Sequence, residues 1–107
     1  MTARGRFLFT ATACALAMGM AADAFAADGA TLYQEKICNT CHGPAGKQPI
    51  LPVYPKLSGQ NAPYLLQQMK DIRDGKRANG LSAAMKAVVS SVTDEQFEAI
   101  ANWLSTQ

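Results

Sequence analysis

Cys38-Asn39-Thr40-Cys41-His42 is a C-x-x-C-H run, and its spacing decides what the rest of the chain must build around it. Two intervening residues turn the backbone so that both thiols face one way, where they can add across the two vinyl groups of a haem. The adjacent histidine is then brought beneath the ring as a ligand to the iron. Rival readings of the same residues are weaker. Structural zinc takes four ligands, and beyond residue 26 the chain offers only Cys38, Cys41 and its single histidine, His42. A redox dithiol belongs at the end of a strand in a strand–helix unit, whereas the residues before Cys38 read as helix. A disulfide between Cys38 and Cys41 closes a loop too short to stabilise much, because that benefit grows with loop length.

Upstream of the motif, a first helix opens near Asp28, whose carboxylate can cap free N–H groups, and runs through Leu32, Tyr33 and Lys36 to the cysteines. Downstream, residues 43–59 carry Pro44, Pro49, Pro52 and Pro55 among glycines, which excludes a long helix or a central strand and predicts an ordered loop. A second helix reads over residues 62–74, with Asn61 as cap, Pro63 in the first turn and Gly75 as the stop. Leu65, Met69 and Ile72 form its apolar stripe. Residues 82–89 read as a short helix. The last helix opens at Thr93, where Gln96 completes a capping box and Asp94 and Glu95 suit the positive dipole end. Phe97, Ile100, Ala101 and Leu104 then line one face. No stretch alternates over a strand length, so the class is all-α: a small domain of three to five helices wrapped around one covalent haem.

The first 26 residues read as an export signal rather than as part of the core. Arg4 and Arg6 precede an uncharged apolar run over residues 7–20, and Ala24-Phe25-Ala26 supplies small residues for cleavage. The run is shorter than the ~20 residues a bilayer requires, so no stable membrane insertion is expected, and Cys14 is discarded with the signal. The expected domain is residues 27–107, in the periplasm. A formal net charge of +2 over 107 residues gives no nucleic-acid signature. A domain of ~80 residues seldom buries enough apolar surface to be comfortably stable alone, and a covalently held haem supplies the missing core.

Two methionines compete for the position opposite His42. Met69 falls on the apolar stripe of the second helix, where packing is its ordinary role. Met85 follows the irregular segment 76–81, which can lay a thioether over the ring, so Met85 is assigned as the second iron ligand. His/Met coordination raises the reduction potential and fills both axial positions, which points to electron transfer rather than catalysis.

The chain resembles the bacterial class I c-type cytochromes over essentially all of residues 27–107. The resemblance is carried by Gly29 and Tyr33, the C-x-x-C-H, Gly43, Pro55-Lys56-Leu57-Ser58-Gly59-Gln60, Tyr64-Leu65 with Gln68, and the stretch from Arg73 to Asn79. Met85 and Ala101-Asn102-Trp103-Leu104 complete it. It implies one haem c, a Pro55 carbonyl that accepts from the His42 ring, Leu57 packed on the haem, and Met85 as distal ligand. It also implies first and last helices that cross at Gly29, with Tyr33, Phe97 and Trp103 around the crossing. Lys47, Lys56 and Lys86 read as a solvated face, with steering of an acidic redox partner as the alternative. Three functions follow: a free electron shuttle between redox partner proteins, an electron-accepting subunit of a periplasmic dehydrogenase acting on sulfur compounds or alcohols, and a haem sensor or peroxidase with a displaceable sixth ligand.

Overall fold

Asp28 begins the structure in the way its short acidic side chain dictates. Its carboxylate accepts from the Thr31 N–H at 2.7 Å and caps helix α1, Gly29–Glu35. The computed structural model describes residues 27–107; the export signal and Cys14 read from the sequence lie outside the described residues. Those residues form α1, a single turn α2 (Asn39–His42), then α3 (Ala62–Arg73), α4 (Ser82–Val89) and α5 (Asp94–Ser105), with a 3-10 turn at Pro44–Gly46. No strand occurs among them, as the lack of alternation predicts.

α1 stops short of the cysteines, where the sequence pattern had carried it through. Ile37 takes φ 57°, a left-handed conformation that is costly for a β-branched residue and ends the helical ladder. The turn it makes is held by the Cys38 N–H donating to the Tyr33 carbonyl at 3.0 Å. Cys41 and His42 therefore ride on α2, and Gly43, at φ 75°, ends it.

The core lies where α1 and α3 pack on α5 and α4 packs on α3. Leu32, Tyr33, Leu65, Met69, Ile72, Val89, Val92, Phe97, Ile100, Ala101 and Leu104 are buried together. At the crossing of α1 and α5, a Cβ on Gly29 would run into the Ala99 carbonyl and the Trp103 Cβ. Tyr33 packs on Trp103 with ring centroids 5.2 Å apart, and its hydroxyl donates to the Gly43 carbonyl at 2.6 Å. Burial pushes the Tyr33 phenol up to about 12.

Arg73, at the end of α3, reaches α5 in a way no local pattern announces. Its Nη1 donates to Asp94 Oδ1 at 2.7 Å and to the Val92 carbonyl at 3.1 Å, its Nε donates to Asp74 at 2.9 Å, and its guanidinium lies 5.1 Å from the centre of the Phe97 ring. These hydrogen bonds hold both aspartates below the usual carboxylate range.

The capping box of α5 is complete: Gln96 N–H donates to Thr93 Oγ1 at 3.2 Å and Thr93 N–H to Gln96 Oε1 at 3.1 Å. Thr93→Ala is expected to cost about 1 kcal/mol, read as a lower denaturant midpoint at unchanged slope. Thr93→Ser keeps the hydroxyl and should recover most of it. Asn61 takes the N-cap backbone of α3 without a side-chain hydrogen bond.

Candidate functional site

α2 and the loop that follows it present the donor atoms on one wall of a cavity of about 460 Å³. Cys38, Cys41 and His42 all line it, and both cysteines are free thiols. Burial, before any other cause, pushes the Cys38 thiol up to about 11, so it stays protonated at neutral pH.

His42 is 7% exposed, and its Nδ1 lies 3.0 Å from the Pro55 carbonyl. A carbonyl only accepts, so Nδ1 carries the proton and Nε2 keeps its lone pair. Burial lowers the His42 pKa and the Pro55 bond partly offsets it, which favours the neutral, ligating imidazole. The loop holds Pro55 in reach through backbone bonds. Ile50 N–H donates to the Cys41 carbonyl at 3.0 Å, and Leu57 and Ser58 N–H donate to the Gly46 carbonyl at 2.9 and 3.1 Å. Gly46 sits at φ 67°, and a Cβ there would press on Leu57 Cβ at 2.8 Å, so the close approach of this loop depends on glycine.

The remaining walls come mainly from α3, α4 and the loop between them, with Tyr33 of α1 and Ile100 and Leu104 of α5. Tyr64, Leu65, Gln68, Met69 and Ile72 line the cavity from α3, and Met85, Val88 and Val89 from α4. Both methionines are therefore at the wall. Met69 is 8% exposed and belongs to the core cluster, whereas Met85 is half-buried and packs at the edge of that cluster. Met85 sits inside α4 rather than on irregular chain, so the short helix expected over 82–89 carries the thioether. Leu57 also lines the cavity; Lys47, Lys56 and Lys86 do not and are exposed.

The donor set fits a covalently attached haem. Two free thiols stand three residues apart, an oriented imidazole with one free nitrogen follows them, a separate helix supplies a thioether, and the cavity between is walled mainly by apolar side chains. Sequence reasoning gave no role to Arg77, the one Lys, Arg, Asp or Glu among the residues lining this cavity. Its sequence signal is its place in the Arg73 to Asn79 stretch that carries the resemblance.

Comparison with known proteins agrees with the geometry. The family model described as Cytochrome c matches residues 26–107. The chain is 40% identical over 83 residues to cytochrome c-554(548) of Halomonas halodenitrificans, covering 76% of this chain and 99% of that one. It is 38% identical over 94 residues to cytochrome c4 of Pseudomonas aeruginosa, covering 86% of this chain but 45% of the relative. It therefore spans about half the length of that relative. A thiosulfate dehydrogenase electron acceptor of Thiomonas intermedia is 39% identical over 70 residues, 65% of this chain and 32% of that protein.

Proposed function

The chain belongs to the cytochrome c family of electron-transfer proteins, and on that premise we propose that it is a periplasmic electron carrier with one covalent haem, exported by a signal cleaved near Ala26. The single C-x-x-C-H of the sequence supports one haem. When bound, the haem supplies an iron that cycles between Fe(II) and Fe(III).

The chain's own residues hold and tune it. Cys38 and Cys41 anchor it through their sulfurs. His42 Nε2 and the Met85 thioether would ligate its iron, and the Pro55 carbonyl fixes the imidazole ring and raises its basicity. Leu57, Leu65, Ile72 and Val89 keep water from the ring, which favours the less charged ferrous state. With two iron ligands supplied by the chain, the group would serve as an electron carrier rather than as a catalyst. The observation that carries this reading is the His42 Nδ1 to Pro55 carbonyl bond of 3.0 Å, which aims an imidazole into the same cavity that Met85 lines.

A free shuttle is the first form of this function. The second, an electron-accepting subunit of a dehydrogenase, is favoured by the relative named as an electron acceptor and by Ile37, Val53, Tyr64 and Leu81, all exposed and all lining the cavity. Co-purification of a periplasmic dehydrogenase at stoichiometric yield would select it. A sensor or peroxidase needs an open sixth position and is disfavoured by Met85.

The test is the optical spectrum of the ferric protein with and without Met85→Ala. The weak far-red band of iron–sulfur charge transfer is expected in the wild type and should vanish completely in the variant. A wild-type spectrum without the band, or a variant that retains it, would remove Met85 from the iron.

A further inference from the structure

Asn79-Gly80 is the chain's single asparagine–glycine step, and the fold leaves both of its reacting groups free. It lies in the connection between α3 and α4, where both residues are exposed and stand at the rim of the cavity. Among the described residues the Asn79 side-chain amide has no hydrogen-bond partner, and the Gly80 N–H donates to no protein group. A Cβ placed on Gly80 would meet nothing within 4 Å, so the space beside its backbone is open. Asparagine is among the thermolabile residues, and a following glycine has no side chain to crowd attack by its own nitrogen.

The other asparagines are placed differently. The Thr40 N–H that follows Asn39 is donated to the Ile37 carbonyl at 3.1 Å. Asn102 lies inside α5 with Trp103 after it. Asn61 is the N-cap of α3 and is followed by Ala62 and Pro63, so a methyl group and a ring crowd the next nitrogen.

We propose that Asn79-Gly80 is a self-modification site, at which the chain deamidates with water alone and loosens the entry to α4. The Gly80 backbone nitrogen attacks Asn79 Cγ. The bond from that nitrogen to Cγ forms as the bond from Cγ to Nδ2 breaks, and the Gly80 proton leaves with Nδ2 as ammonia. The resulting cyclic imide then takes up one water. Opening at Cγ leaves an aspartyl residue at that position, and opening at the main-chain carbonyl leaves an isoaspartyl one. The sum is amide plus water to carboxylic acid plus ammonia, with no oxidant or reductant.

Both products put a negative charge at the cavity rim, and the isoaspartyl product also lengthens the backbone by one methylene. The Asn79 carbonyl accepts from the Ser82 N–H at 3.1 Å, and the turn so closed leads into Leu81, whose carbonyl accepts from Ala84 and Met85 N–H at 3.1 and 3.4 Å. A displaced Asn79 carbonyl leaves the Ser82 N–H without its partner and frays the first turn of α4, the helix that carries Met85.

The experiment is prolonged warm incubation of the purified protein in mildly alkaline buffer, followed by tryptic mass mapping. Cleavage after Arg77 and Lys86 isolates residues 78–86, whose one side-chain amide is that of Asn79. This peptide is expected to gain the mass difference between amide and carboxyl, and to split into aspartyl and isoaspartyl forms, while peptides holding Asn39, Asn61 and Asn102 stay unchanged. Asn79→Gln keeps an amide but sets it one methylene too far and should lose the change; Gly80→Ala should slow it. Amide exchange over residues 82–85 should be faster in the isoaspartyl fraction than in fresh protein. The proposal is overturned if the synthetic peptide of residues 78–86 deamidates while the folded protein does not, or if the other asparagines react as fast as Asn79. Equal exchange over residues 82–85 in fresh and isoaspartyl protein would overturn the loosening of α4.

Discussion

Gly29→Val is expected to leave little or no folded protein at neutral pH, and Gly29→Ala to lower the unfolding free energy by about 3 kcal/mol, at the upper end of the overpacking range. The atoms a Cβ would meet are the Ala99 carbonyl and the Trp103 Cβ, one of them backbone and the other fixed to it. No rotamer change relieves the clash, so α1 and α5 must move apart. That movement is costly because α1 inserts Leu32 and Tyr33 into the core, and Tyr33 is tied to Trp103 on one side and to the Gly43 carbonyl on the other. Separation would also tilt the chain that leads into Cys38. A domain of ~80 residues has a total stability of only ~4–12 kcal/mol, and valine adds two further methyl groups to the same collision. Guanidinium unfolding followed by helix signal reads the result. Ala30→Val, one residue away and without this contact, is the control. Equal midpoints for Gly29→Val and the wild type would mean that the helices do not cross at Gly29.

What the sequence made legible here is what is encoded locally. The C-x-x-C-H spacing needs only five consecutive residues. α3 and α5 announce themselves through i, i+3, i+4 and i+7 apolar positions, and Asp28 and Thr93 bond to N–H groups within their own first turn. Gly29, Tyr33 and Trp103 were placed at one crossing by resemblance, and they meet there.

The features that escaped depend on partners distant in the chain. Nothing around Ile37 predicts a left-handed β-branched residue, because its conformation is imposed by where α1 and α2 must lie. Arg73 reaches Val92 and Asp94 across a gap that only the packing of α3 on α5 closes. Arg77 belongs to a stretch that matched by resemblance, but only the fold sets it at the cavity wall.

His42→Ala is expected to abolish the low-spin spectrum entirely while leaving the haem attached. Attachment and ligation are separate tasks here: Cys38 and Cys41 make the bonds to the ring, and His42 alone supplies imidazole, since the sequence has no second histidine. Truncation removes a ring that is 7% exposed and opens the space it filled beside the Pro55 carbonyl. The loop loses the His42 hydrogen bond to Pro55 and the ring that faces Tyr54, so both residues should loosen with it. The ferric protein should become high-spin, and its potential should change, because a ligand atom is lost. Free imidazole, small enough for the space vacated and able to donate to the same carbonyl, should restore a low-spin spectrum in a saturable way. Mass spectrometry of the intact chain separates retained haem from lost haem, and electron paramagnetic resonance reads the spin state. Retention of an unchanged low-spin signal without imidazole would show that His42 is not the ligand, and the orientation given by Pro55 would then need another purpose.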